Sequence, residues 1–177
     1  MDNISIQFNS DISKDNTEIR IAFYANIGFF IELAQMLEFN LRKLLCYELT
    51  IEKIEKEKPT KKNISKIHKK YDDYYFKTYE EKWTLGKLKD ELERSSSLSP
   101  NTIDSLKEIN DYRILIVHKI FQNNIISGKL RDSAIVHNYI ENRLIPITNQ
   151  ANDINKEIIE FIKLYQNKLQ TYKEQIQ

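Results

Sequence analysis

Ile109-Asn-Asp-Tyr-Arg-Ile-Leu-Ile-Val-His-Lys-Ile-Phe121 is the stretch that most limits what this chain can fold into. Between Tyr112 and Phe121 only Arg113, His118 and Lys119 interrupt the apolar side chains. A helix that is apolar around its whole circumference is normally buried on all sides. A guanidinium or an imidazole in such a place is costly unless it is paired or opens onto a cleft. The run therefore predicts a buried element, and it makes its exceptions, Arg113 and His118, the informative residues.

Its β-branched members (Ile114, Ile116, Val117, Ile120) also suit a strand, and period alone does not decide a short apolar run. The upstream residues do. Ser99-Pro100 supplies an N-cap followed by proline at the first helical position, and Asp104 and Glu108 lie early in the segment. No Gly or Pro follows before Gly128. These signals predict a helix from about Pro100 to Asn123. In it, residues five apart point about 140° apart, so Arg113 and His118 share one broad side.

The rest of the chain reads as helix too. Asn16 or Thr17 can cap a long helix from about 18 to 57, whose stripe Phe23, Ile27, Phe30, Leu33, Leu37, Leu41, Leu44 recurs every three or four residues. Gly28 inside it suggests a close helix approach. Its charged last turns, Ile51 to Lys58, are expected to run beyond the core, and Pro59 ends it. A lysine-rich, then tyrosine-rich segment follows, with Lys61 to Lys70 leading to Tyr71, Tyr74 and Tyr75. Thr84 can cap a short helix in which Leu85, Leu88 and Leu92 share a face. Asp132 or Ser133 can open a second long helix, about 132 to 174, with the stripe Ile154, Ile158, Phe161, Ile162, Tyr165, Leu169. Pro146 should kink or divide it. The expected architecture is an all-α bundle of four to five helices, as one domain over 17–177 behind a polar arm of residues 1–16.

Only three Gly and three Pro in 177 residues agree with long elements and few turns. The net charge of +1 gives no global field toward nucleic acid. The single Cys46 excludes an intrachain disulfide and suits a reducing compartment. Without a secretory segment or an apolar run of about 18 residues, a cytoplasmic protein with no membrane contact is expected.

Arg113-Ile-Leu-Ile-Val-His118, late in the third helix of an all-helical chain, resembles the R-x(4–6)-H motif of HEPN domains. That resemblance covers the helix order over most of the chain and implies a helical-bundle homodimer. It also implies a metal-independent ribonuclease of the kind found in toxin–antitoxin and phage-defence systems, with RNA as substrate and an antitoxin or defence protein as a further partner. Many such motifs carry a polar residue after the Arg, where this chain has Ile114. Some carry, two residues after the His, a Tyr that a partner nucleotidyltransferase modifies; here that position is Ile120.

The chemistry of the two residues fits the role. An imidazole is the side chain best suited to giving and taking a proton near neutral pH, so His118 can move one, while Arg113 can hold phosphate oxygens bidentately. One histidine cannot be base and acid in one turnover without help, and a two-fold dimer would supply a second pair. The plainer reading is that Arg113 pairs with a buried Glu and His118 hydrogen-bonds in the core. Arg131 and His137 form a second match, but Arg131 falls in a turn and Asp132 is better explained as a cap. The lysines before the tyrosines could track phosphates, although a solvated face is the commoner explanation. His68 among them is expected to be exposed and idle. No metal or cofactor motif is evident, so Arg113 and His118 stand as the catalytic candidates. The alternative function is a catalytically silent bundle module that binds a partner protein or a nucleotide.

Overall fold

The computed structural model describes residues 14–77, 84–95, 98–119 and 132–175. Every regular element among them is helical. Helix α1 runs Lys14–Glu57, 44 residues, which at the α-helical rise is roughly 65 Å. It begins four residues earlier than its capping signals suggest, so residues 14–16 belong to the rod rather than to a polar arm. Nothing in Lys14-Asp-Asn-Thr17 breaks a helix. Residues 1–13 of the expected arm lie outside the described residues.

The predicted stripe of α1 is the spine of the core. Phe23, Phe30, Leu33, Leu37, Leu41 and Leu44 are buried, and Ile27 packs against them half-buried. Lys58 takes φ 46° and donates its N–H to the Ile54 carbonyl at 2.9 Å, a left-handed stop that Pro59 then enforces. Helix α2 (Lys61–Asp72) turns back along the end of α1 and closes with a widened π turn, Asp73–Lys77. Helix α3 (Leu85–Ser95) buries Leu85, Leu88 and Leu92 as its spacing predicts. Trp83 and Tyr79 lie outside the described residues.

Helix α4 (Pro100–Ile114) starts as read from sequence: Ser99 Oγ accepts the Thr102 N–H at 3.1 Å, with proline just inside. A π turn, Leu115–Lys119, continues it. The stretch from 120 to 123 lies outside the described residues. Asp132 caps helix α5 (Ser133–Tyr139), accepting from the Ala134 and Ile135 amides. A third π turn, Ile140–Leu144, joins α5 to helix α6 (Ile145–Gln175). The expected break at Pro146 is therefore placed one turn upstream. Proline has no N–H for the carbonyl four residues back, and the widened turn is where the ladder loses its regular step.

The rods are aligned by polar contacts. Asn40 to Asn155, Tyr47 to Gln166 and Glu55 to Tyr172 run in the same order along α1 and α6, so these two helices are parallel. Thr102 to Glu157 and Glu108 to Gln150 run in opposite order, so α4 is antiparallel to both. One correction concerns the end of α1. Ile51 and Ile54 do not project beyond the core; they bury against Ile64 of α2 and Leu169 of α6 in a small second cluster. The charges of that turn obscure two apolar positions that α2 needs as a seat. No helix among the described residues is long and apolar enough to cross a membrane.

Candidate functional site

Arg113 sits in the last turn of α4, and its side chain reaches across to α1. Its Nη1 donates to Glu38 Oε1. The same oxygen accepts the Leu85 N–H at 2.8 Å, so Glu38 also satisfies the first amide of α3. Thr84 stands at the expected cap position, its carbonyl accepting the Leu88 N–H at 3.0 Å, and a carboxylate from another helix adds the acceptor for the first amide. Both charged side chains are mostly withdrawn from water, 23% exposed for Arg113 and 15% for Glu38. One carboxylate thus ties three helices together at Arg113.

A guanidinium presents five N–H donors in a fixed fork, so the pair leaves Arg113 with donors to spare. Its charge is nonetheless balanced by Glu38. An incoming phosphate would meet a neutralised, well-oriented donor array rather than a free cation.

His118 lies in the π turn and is exposed. Among the described residues no hydrogen bond or ion pair joins it to Arg113. The widened turn still matters to their geometry. Backbone bonds that reach back five residues bring positions five apart nearer one line than a straight α-helix does. Expectations for the surrounding run need correcting. Ile116 is buried, but Ile114 is 39% and Val117 54% exposed, so the helix is not enclosed on all sides. The polar interruptions fall where the two are accommodated, Arg113 by pairing and His118 by solvent.

The motif helix also carries a feature the sequence did not flag. Tyr112 donates its hydroxyl to that of Tyr139 at 2.7 Å, and the rings of Phe30 and Phe23 meet them edge-on from α1. Burial, and then the bond to Tyr139, push the Tyr112 hydroxyl far up, so it stays a donor. A shallow cleft of about 480 Å³ beside Tyr139 is lined by Ile135, Asn138, Asn142 and Arg143. On the other side, a 370 Å³ cleft beside Tyr112 is lined by Asp104, Glu108 and Asp111 with Lys107. An anion would favour the Arg143 side. Twenty-seven residues separate Tyr112 from Tyr139, and no local spacing announces such a pair.

Of the second sequence match, His137 is exposed on α5 and Arg131 lies outside the described residues. The lysine segment forms the outer face of α2. Lys66, Lys69, Lys70, Tyr71 and Tyr74 line a cavity of about 620 Å³, with Asp73 tied to Lys77 by an ion pair of 2.6 Å. Ile64 fastens the opposite face of α2 to the bundle.

His68 is a correction. It is half-buried rather than idle, stacks on Tyr47 and places Nδ1 3.3 Å from Thr50 Oγ1 and 3.7 Å from Cys46 Sγ. Position 68 faces α1 because it falls one turn after Ile64. Burial pushes the Cys46 thiol up to about 12, with the Asp72 charge adding to it, so it is a packed thiol and no nucleophile. Burial lowers the His68 pKa, so the fold favours the neutral ring. The unfolded chain then binds the proton more readily. Stability from this site is present above the ordinary histidine value near 6.5 and is lost as pH falls through the depressed folded value. Melting temperature should fall on acidification through this window, and His68→Gln should flatten that part of the profile. An unchanged slope would remove His68 from the account.

Among the described residues no group of three or more His, Cys, Asp and Glu side chains is placed to hold a metal ion. Comparisons with protein-family models, with curated proteins and with solved structures find no match for the chain.

Proposed function

We propose that the protein is a HEPN-like ribonuclease, or the toxin component of a defence pair, that cuts RNA as a homodimer using Arg113 and His118. The observation that carries the reading is their placement on one continuous element. Glu38 pins Arg113 in orientation while His118 stands one turn further on, open to solvent. A fixed phosphate-binding fork beside an accessible imidazole is what internal attack by a ribose 2′-hydroxyl requires. In such a step the 2′-oxygen bonds to phosphorus as its proton passes to a base. The 5′-oxygen then leaves with a proton from an acid. His118 of each subunit would take one of these tasks, with the guanidinium on the phosphate oxygens.

The Glu38–Arg113 pair favours a second reading as well. A carboxylate that neutralises the arginine and caps α3 gives Arg113 a structural task, as in a silent bundle that binds a partner protein or nucleotide. Incubating the purified chain with RNA in EDTA, beside a His118→Ala control, separates the two. Cleavage lost with His118 supports the nuclease; RNA left intact by the wild type supports the module.

If α2 carries the RNA backbone, replacing Lys62, Lys66 and Lys69 with glutamine should weaken binding. The slope of log affinity against log salt should flatten by roughly two to three. A slope unchanged by the three substitutions would return the lysines to an ordinary solvated face.

A further inference from the structure

Helix α1 turns one face to the core and leaves much of the other exposed, down to Phe39, which packs edge-on against Phe76. Ile21, Ala25, Gly28, Glu32, Gln35 and Phe39 repeat at alternating spacings of four and three along its outward side, the spacing of a helix–helix seam. Ala22, Phe29 and Met36, seven apart, flank that seam. Ile21 is 63% and Phe29 54% exposed, and Met36 and Phe39 are close to half exposed. Between Ile21 and Gln35 Glu32 is the one charge on this face among the described residues, and at its far end Lys43 holds its ammonium 4.8 Å above the Phe39 ring.

Gly28 sharpens the point. A Cβ built on it would meet nothing within 4 Å, so the glycine serves no close approach among the described residues of its own chain. Yet glycine in a helix interior costs about 1 kcal/mol against alanine. Its neighbour Phe29 stands out into solvent. A vacancy and a protruding ring on adjacent residues near the middle of a seam are self-complementary: each can be filled by the other's counterpart.

We propose that this face of α1 is an interface for a second copy of the chain, the two α1 helices crossing antiparallel near Gly28 with each Phe29 over the other's glycine. A two-fold pairing joins the same patch on both subunits, and a nearly uncharged face meets itself with little repulsion. The area agrees. An aromatic side chain presents about 150–250 Å², so Tyr24, Phe29 and Phe39 at half exposure leave roughly 300 Å² bare. Ile21, Met36 and the smaller residues bring the face toward the ~800 Å² per partner of a standard interface. Soluble monomers rarely leave so large an apolar patch uncovered.

The face also has a neighbour on the motif helix. The Phe30–Tyr112 contact and the antiparallel course of α4 put exposed Ile114 and Val117 level with the first half of the seam. The inference rests on exposed surface and spacing, and it stands whether or not the protein cuts RNA.

Sedimentation equilibrium of the full chain tests it, with mass as the readout. The wild type should run at twice the 21.1 kDa chain mass at micromolar concentration. Phe29→Glu should weaken association about 100-fold, the scale of a truncated hot spot. Leu164→Glu, at an exposed leucine on α6, should stay dimeric. Should Phe29→Glu lose helical circular dichroism, Phe29→Ala replaces it under the same criterion. A monomeric wild type overturns the inference, as does a dimer that survives substitution of Phe29. RNA cleavage is measured separately, so loss of the nuclease reading leaves the mass result intact.

Discussion

His118→Ala is expected to abolish RNA cleavage while leaving thermal stability nearly unchanged. The side chain is exposed and makes no hydrogen bond among the described residues, so its removal belongs with surface substitutions, within about 0.5 kcal/mol. A lost general base or acid typically costs 10²–10⁴ in rate, and a pair acting across a dimer would lose both members at once. His137→Ala should cleave like the wild type, because His137 is exposed on α5, a different helix from the one that carries Arg113 and leads to His118. Cleavage rate and melting temperature on both variants decide the matter. Activity that survives His118→Ala would end the assignment of that residue and leave the binding-module reading.

Glu38→Ala should be the most damaging single substitution near the site. It removes the partner of a largely withdrawn Arg113 and also unmakes the acceptor for the first amide of α3. Breaking a fully buried pair costs more than this half-withdrawn one, and a lost cap adds about 1 kcal/mol. Together they suggest about 2–4 kcal/mol, or on the order of 5–15 °C in melting temperature for a chain of this size. Glu38→Gln keeps an oxygen for the Leu85 amide and should recover part of the loss. Equal melting temperatures for Glu38→Ala and the wild type would show that the three helices are held by apolar packing alone.

These two substitutions divide the motif by its physics. Arg113 is a residue whose deletion confounds stability with function, since it would strand Glu38. His118 is a residue whose deletion isolates function. Arg113→Lys, which keeps the charge but not the planar fork, is the gentler probe of the phosphate-holding role.

The all-α architecture was legible because helix signals recur without interruption. The Phe23–Leu44 stripe, the Leu85/Leu88/Leu92 face and the Ser99-Pro100 and Asp132 starts all stand where spacing puts them. Boundaries were less legible: Lys14 to Asn16 carry no breaker and so join α1 despite the cap-like residues after them. The π turns among the described residues were less legible: Pro146 announces a break near Ile140–Leu144, but no residue type marks the widened turns at Asp73–Lys77 and Leu115–Lys119. Arg113 and His118 could be singled out from sequence, but their fates could not. That Glu38 lies opposite Arg113 depends on how α1 and α4 are staggered, 75 residues apart in the chain. The Tyr112–Tyr139 pair and the buried face of His68 are of the same kind. Each is a contact between distant segments, and periodicity reports only which side of its own helix a residue occupies.

The two buried clusters on α1 have a kinetic consequence. The one around Ile51, Ile54, Ile64 and Leu169 is far smaller than the main core, and with the contacts of His68 it seats the first turns of α2. Free energy of opening is not uniform along such a rod; segments held by few apolar contacts detach while the remainder stays folded. Lifting α2 from this seat would unstack His68 from Tyr47 and bring water to Cys46. The thiol would regain its ordinary acidity for as long as the helix stayed away. Cys46 is thus a built-in clock, whose labelling rate counts the excursions of α2.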